Sequence, residues 1–87
     1  MKFEYDPIKS DINLQKHGID FEMAQYLWLD SNALQIQAKS DTEERYALIG
    51  TIEERLWVAF YTYRKDTIRI ISTRRARENE KRIYDES

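Results

Sequence analysis

Residues 45–72 decide the fold, and they read RYALIGTIEERLWVAFYTYRKDTIRIIS. Alternation of side chains from Arg45 to Ile52 predicts a strand. Arg55–Tyr63 is apolar on both faces, which is typical of a central strand, and Thr67–Ser72 predicts another. Glu53-Glu54 and Arg64-Lys65-Asp66 fit the turns between them. The stretch therefore predicts an antiparallel meander of three strands.

The residues before this stretch predict two helices. Asp6-Pro7 supplies a capping side chain and a proline suited to the first helical turn, and Gly18 fits the left-handed position after the last turn. Ile8 and Ile12 fall on one face of this first helix. A second helix is expected from Phe21 to about Leu29, because its apolar residues recur at helical spacing.

Two short strands complete the N-terminal half, and a helix ends the chain. Lys2–Tyr5 predicts an edge strand or an extended segment, and Ala33–Gln37 a further strand. From about Thr73 a final helix is expected, with Glu78 placed to pair with arginines on either side, namely Arg74 and Arg82. Its apolar face is thin, so it docks loosely or needs a partner; the face comprises Ala76, Glu80, Ile83 and Tyr84.

These elements predict one α+β domain over residues 1–87, with N-terminal helices packed on an antiparallel sheet and a C-terminal helix after it. The chain has one His and no Cys, no spacing of metal ligands and no glycine-rich phosphate loop. We therefore expect neither a metal nor a cofactor. No apolar run approaches the roughly 20 residues that cross a bilayer, and no signal peptide is evident at the start. We expect a cytoplasmic protein without a membrane partner.

Charge is distributed unevenly along the chain. Residues 1–63 carry 6 Lys/Arg and 11 Asp/Glu, a net of −5, whereas residues 64–87 carry 8 and 5, a net of +3. The asymmetry fits a positive patch on an acidic body, which would attract phosphate. It fits equally well a solvated helix with ion pairs along its surface.

Arginines and tyrosines crowd the end of the chain. Arginine contacts phosphate through two parallel hydrogen bonds, and tyrosine rings stack on unpaired bases. Single-stranded RNA is bound by this combination. A ribonuclease without a metal also needs a group that activates the 2′-hydroxyl, cations for the charged transition state and a donor for the leaving 5′-oxygen. The candidates for proton transfer are His17, Glu44, Glu80 or a tyrosine.

Structural roles compete with each of these assignments. His17 precedes Gly18 and can have a capping or packing role at the end of the first helix. Glu80 can be an ion-pair partner. Tyr61 and Tyr63 share a strand face with Trp57, so they can be packing neighbours. Arg69 between two isoleucines is harder to explain structurally, because a charged side chain on an apolar strand must face solvent, pair or serve a site.

Several motifs, in order and spacing, resemble those of the BrnT family of bacterial toxins. They are Phe3-Glu4-Tyr5-Asp6-Pro7, Lys9, Asn13, Lys16-His17-Gly18-Ile19, Phe21-Glu22, Ala24, Glu43-Glu44-Arg45, Ile49-Gly50, Arg69-Ile70-Ile71-Ser72, Arg74, Ala76, Glu80 and Tyr84. The resemblance implies a RelE-like fold, with RNA bound on the sheet face away from the helices. It also implies a ribonuclease toxin that is paired with a ribbon-helix-helix (BrnA-like) antitoxin. Operator DNA would be bound only through the antitoxin.

The leading interpretation is a metal-independent endoribonuclease. Its catalytic candidates are Arg74, Glu80, His17 and Arg69, and its RNA-binding candidates are Arg45, Arg64, Arg69, Tyr63 and Tyr84. One alternative is a non-enzymatic interaction module that acts as a subunit of a DNA-binding repressor complex. The other is a structural protein with an ion-paired surface.

Overall fold

The computed structural model describes residues 1–87, and its elements follow in chain order. They are β1 (Lys2–Glu4), α1 (Pro7–His17), α2 (Phe21–Ala24) with a 3₁₀ turn (Gln25–Leu29), β2 (Leu34–Ala38), β3 (Arg45–Ile52), β4 (Arg55–Arg64), β5 (Thr67–Arg75) and α3 (Glu78–Glu86). The predicted α+β class is confirmed. Both turns of the meander lie where the sequence places them, at Glu53-Glu54 and Lys65-Asp66.

The five strands form one mixed sheet in the order β1-β5-β4-β3-β2. Strands β2 to β5 are antiparallel neighbours, but β1 pairs in parallel with β5, with Lys2 opposite Thr67 and Glu4 opposite Arg69. The prediction of a wholly antiparallel sheet is therefore wrong. The connection decides the direction: α1 and α2 separate β1 from the remaining strands, and a strand that is not joined by a hairpin is free to pair in parallel.

The last strand is longer than the sequence indicates. β5 continues to Arg75 because Val58 and Ala59 of β4 pair with Arg74 and Thr73. The expected helix start at Thr73 is therefore wrong, since α3 begins at Glu78. The expected pairing of Glu78 with Arg74 is wrong for the same reason. The expected pairing with Arg82 is wrong too, although both residues lie in α3. Glu78 instead lies 3.6 Å from Lys81, one turn along α3.

Helix α1 turns polar residues inward. Asp6 accepts a hydrogen bond from the Ile8 N–H, and Gly18 ends the helix with φ +80°, as the sequence predicts. Ile8, however, is 71% exposed and Ile12 is exposed too, whereas Asn13 is buried. The Asn13 amide donates to the carbonyls of Ile19 and Thr73, both at 2.8 Å, and accepts from the Thr73 N–H at 3.2 Å. The Asn13 amide thus bonds both main-chain polar groups of Thr73 on the edge of β5, beyond the end of β1, much as a partner strand would.

Each face of the sheet carries its own apolar cluster. The face against α1 and α2, called the helix face here, includes Leu48, Ala59, Tyr61, Ile68 and Ile70. The opposite face has a smaller cluster of Ala47, Ile49, Val58 and Ala76, with Tyr84 of α3 packed against it. The expectation that the helices leave the second face free is therefore wrong, since α3 covers part of it. Only the end of that face towards Arg64 and Arg69 is clear of the α3 cluster.

Candidate functional site

Four of the arginines singled out in the sequence lie on one face of the sheet. Because successive side chains of a strand point to opposite faces, register decides the placement. Arg69 of β5 is opposite Thr62 of β4, and the Thr62 hydroxyl donates to the Glu44 carbonyl at 2.7 Å. Glu44 directly precedes Arg45, the first residue of β3. Neighbouring strands lie about 4.8 Å apart, which separates the Cα atoms of Arg45 and Arg69 by about 10 Å. The surface opposite the helix face is called the arginine face; its arginines are Arg45, Arg64, Arg69 and Arg74.

Glu4 joins this group, and sequence reasoning did not name it as a site residue. The Arg69 Nη1 donates to Glu4 Oε2 at 2.8 Å, and the Arg64 Nη1 lies 4.0 Å from the same oxygen. All three side chains are partly exposed. The sequence does show that apolar Phe3 and charged Glu4 alternate, so their side chains point to opposite faces. Which face Glu4 shares, and with which residue, is known only from the pairing of β1 with β5. The cluster therefore presents two arginines and one carboxylate to solvent.

Arg45 adds a further cation with unused hydrogen-bonding capacity. Its Nε lies 3.7 Å from Glu43 Oε1, too far for a hydrogen bond. The Nε–H is buried and has no hydrogen-bond partner. A buried donor without a partner costs free energy. The side chain as a whole is 39% exposed, so an anion from solution can contact the guanidinium at atoms other than the buried Nε.

Arg74 and Glu80 form a closed pair at the base of α3. The two guanidinium nitrogens of Arg74 donate to the two carboxylate oxygens of Glu80, each at 2.8 Å. Their side chains are 20% and 12% exposed. The same carboxylate accepts the Arg77 N–H at 2.7 Å, at the start of α3, and the guanidinium lies 5.2 Å from the Phe60 ring centre. The pair holds the first turn of α3 against β5.

Electrostatics weaken Glu80 as a base. The hydrogen bond from Arg74 lowers the pKa of Glu80 below its usual 4.5, outweighing the opposing effect of burial. The same contact raises the pKa of Arg74. A general base works best with a pKa near the working pH. The Glu80 carboxylate is therefore suited to orienting Arg74 and α3 rather than to accepting a proton.

Tyr84 fastens the other end of α3. Its hydroxyl donates to Asp30 Oδ2 at 2.8 Å, and the same oxygen accepts from the Thr51 N–H and hydroxyl at 2.9 and 3.0 Å. Burial would raise the pKa of Asp30, but these bonds and the Asn32 N–H outweigh it and lower that pKa. Gly50 leaves space for the Asp30 carboxylate, because a Cβ at residue 50 would lie 3.3 Å from Asp30 Oδ2. The hydroxyl of Tyr84 is committed to a structural contact.

His17 and Tyr63 lie apart from the arginine face. His17 is exposed at the last turn of α1, which packs on the opposite face. Tyr63 points to the helix face, where its hydroxyl donates to Gln35 Oε1 at 2.8 Å and its ring meets that of Tyr61 edge to face. The structure thus brings together the arginines, but it brings neither His17 nor Tyr63 into their group.

The chain has no cluster of three or more His, Asp or Glu side chains placed to hold a metal ion. None of its helices has the length and apolar character required to span a membrane.

Comparison with known proteins identifies the family. The family model described as the ribonuclease toxin BrnT of type II toxin–antitoxin systems matches residues 5–80. No curated protein matches the chain significantly. The matched segment begins at Tyr5, directly after β1, and runs through strands β2 to β5 to Glu80 in α3. It includes Arg45, Arg64, Arg69 and Arg74. The chain belongs to the BrnT family of ribonuclease toxins of type II toxin–antitoxin systems.

Proposed function

We propose that residues 1–87 act as a single RelE-like domain, a metal-independent endoribonuclease that cleaves RNA in the cytoplasm and so inhibits translation. The observation that carries the proposal is the group of arginines on one sheet face within a chain of this ribonuclease family. Arg69 and Arg64 are exposed enough to meet a phosphate. Arg45 contributes a further guanidinium that is partly exposed.

The chemistry proposed is attack by a 2′-oxygen on the adjacent phosphorus. The P–O5′ bond breaks, leaving a 2′,3′-cyclic phosphate on one fragment and a 5′-hydroxyl on the other. Both oxygens of Glu80 are bonded, whereas Glu4 is 38% exposed and only its Oε2 is held, by Arg69 at 2.8 Å. Its other carboxylate oxygen therefore accepts the proton of the 2′-hydroxyl, and solvent supplies the proton taken up by the 5′-oxygen. Arg69 and Arg45 stabilise the extra negative charge of the phosphorane. Arg74 and Glu80 are positioning residues that hold α3 beside this surface.

The central test is RNA cleavage by the purified chain in the presence of EDTA. We expect wild-type protein to cut, and Arg69→Ala to cut about 100-fold more slowly, because one fixed donor to a transition-state charge is typically worth this much. Arg55→Ala is the matched control. Arg55 is exposed at the opposite end of β4 from Arg64 and points to the helix face, so its removal leaves the rate unchanged.

The base assignment has its own variant. Glu4→Gln keeps a hydrogen-bond acceptor for Arg69 but cannot take up a proton, so we expect cleavage to fall while RNA binding persists. Equal rates for Glu4→Gln and wild type remove Glu4 from the mechanism. If wild-type protein cuts no RNA with or without chelator, the enzymatic proposal is wrong, and a non-enzymatic subunit of a repressor complex takes its place.

The partner proposed is a ribbon-helix-helix (BrnA-like) antitoxin, which neutralises the toxin and carries the complex to operator DNA. The chain alone has a net charge of −2, which disfavours binding to duplex DNA by itself. In a mobility-shift assay we expect the complex with antitoxin to retard operator DNA and this chain alone to leave it unshifted.

A further inference from the structure

An aromatic cavity opens at one end of the helix face, beside the turn between β4 and β5. Its volume is about 340 Å³, and its walls include Trp28, Gln35, Tyr61, Tyr63 and Lys65. This volume falls at the lower end of the range for small-molecule sites, about 300–1,000 Å³. None of the catalytic groups proposed above lines it.

The walls present aromatic surface in fixed orientations. Trp28 meets Tyr61 edge to face with ring centres 5.0 Å apart, and Tyr61 meets Tyr63 at 5.6 Å and 90°. Tyr61 is fully buried, whereas Tyr63 is 48% exposed. A planar ligand can therefore stack on the exposed tyrosine ring while the rings behind it stay in place.

A polar group is oriented at the cavity wall. The hydroxyls of Tyr61 and Tyr63 both donate to Gln35 Oε1. Burial, with the nearby Tyr63, raises the pKa of Tyr61 well above its ordinary value, so that hydroxyl remains a donor. Because the amide oxygen is taken, the Gln35 Nε2 offers its two N–H donors to a ligand. Stacking surface beside a fixed amide is the arrangement that binds the edge and face of a nucleobase.

Cations lie at the rim, and the arginine face is close by. Lys65 lines the cavity, and Lys2 is 3.9 Å from Asp66 in an exposed pair that contributes little. Arg64 directly follows Tyr63 on β4, so its side chain projects to the opposite face at the same end of the sheet. Arg64 and the cavity thus lie on opposite faces at the same end of the sheet, so a chain of nucleotides bound at Arg64 reaches the cavity by passing around that end.

We infer that this cavity binds an unpaired nucleobase of the RNA whose phosphates contact the arginine face. The base stacks on Tyr63 and accepts a hydrogen bond from the Gln35 amide, and Lys65 faces the attached phosphate. The inference rests on the proposed ribonuclease function, but the occupancy of the cavity is measured separately from cleavage.

The test is a titration of the Trp57→Phe variant with each of the four nucleoside 5′-monophosphates, followed by tryptophan fluorescence. The chain has two tryptophans, so only Trp28 then reports. We expect saturable quenching, and no response to inorganic phosphate alone. Tyr63→Ala in that background is expected to weaken binding about 5- to 150-fold, as found when a stacked base loses its ring. Tyr26→Ala in the same background is the matched control, because Tyr26 is an exposed tyrosine of the 3₁₀ turn outside this cavity. We expect this variant to bind each nucleotide with the same affinity as Trp57→Phe alone.

A second measurement uses the unaltered chain. In heteronuclear NMR the side-chain amide signals of Gln35 are expected to shift on nucleotide addition. Absence of saturable binding by all four nucleotides, in both measurements, overturns the inference, and so does equal weakening by Tyr63→Ala and Tyr26→Ala. If RNA is cut but no nucleotide binds, the inference about the cavity is wrong and the ribonuclease proposal stands. If nucleotides bind but no RNA is cut, the ribonuclease proposal fails while the base site stands.

Discussion

Glu80 shows how one side chain can match a family pattern for a structural reason. Both of its oxygens are occupied by Arg74, and one also accepts the Arg77 N–H. The sequence placed Glu80 among the catalytic candidates because a carboxylate can transfer a proton and because Glu80 belongs to the C-terminal motif that resembles the BrnT family. In the fold it orients Arg74 and caps α3. Glu4, which the sequence did not single out, is the carboxylate that meets Arg69.

Replacing Glu80 by Gln is expected to lower the free energy of unfolding by about 1.5–3 kcal/mol at pH 7, the usual range for a hydrogen bond to a charged group. Because the pKa of Glu80 is lowered on folding from 4.5, the wild-type advantage is complete above that pH. It is lost as the pH falls through the lowered value. Urea unfolding of both proteins at pH 7 and at acidic pH measures the difference.

The control for this variant is Glu78→Gln. The Glu78 side chain is 87% exposed and lies 3.6 Å from Lys81, so we expect its loss to cost no more than about 0.5 kcal/mol. A difference between Glu80→Gln and wild type that stays constant from pH 7 into the acidic range contradicts the assigned ion pair.

At the scale of elements, α1 is held by polar side chains rather than by its isoleucines. Ser10 accepts the Phe21 N–H at 2.9 Å, which joins α1 to α2, and Asn13 bonds to both Ile19 and Thr73. The apolar pair Ile8 and Ile12 points to solvent. Helical periodicity identified the helix correctly, but it did not indicate which face is buried.

Two substitutions in α1 separate these roles. Asn13→Ala is expected to destabilise the protein by about 3 kcal/mol, because it leaves buried N–H and carbonyl groups of β5 without partners. Ile8→Ala removes more apolar surface but from an exposed site, so its effect stays within about 0.5 kcal/mol. Chemical denaturation of both variants decides, and a larger loss for Ile8→Ala contradicts this account of α1.

At the scale of the whole molecule, the sheet separates two kinds of surface. Arginines gather on one face, and the aromatic cavity lies at the same end of the other. The net charge of −2 conceals this separation. Attraction to a phosphate chain therefore depends on the local surface and not on the total charge.

Salt dependence measures that local surface. Binding of single strands releases about 0.7 counterions per neutralised phosphate. If Arg45, Arg64 and Arg69 each neutralise one phosphate, the slope of log affinity against log salt concentration is about −2. Fluorescence anisotropy with a 2′-O-methyl oligonucleotide, which cannot be cut, measures this slope. Arg69→Ala is expected to reduce the slope by about 0.7. Arg55→Ala is expected to leave it unaltered, and identical slopes for all three proteins contradict binding at the arginine face.

Local features were predictable from the sequence alone. The capped start of α1 at Asp6-Pro7, its end at Gly18 and the central meander follow from side-chain chemistry and periodicity within a few residues. The motifs also indicated the BrnT family, which the comparison confirmed. These inferences succeeded because each depends on neighbours in the chain.

Tertiary structure decided what depends on distant pairing. Parallel pairing of β1 brings Glu4 to Arg69, continuation of β5 places Arg74 on a strand, and the Asp30–Tyr84 bond seats α3 on the second face. The partners in each case are far apart in the chain, and the periodicity of side chains along the sequence indicates nothing about which distant residues meet. The arginine-rich residues were recognisable from their composition. Only the folded sheet shows that four of the arginines share one face, and only the packing of α3 closes Arg74 into an ion pair with Glu80 while Arg64 and Arg69 stay partly exposed.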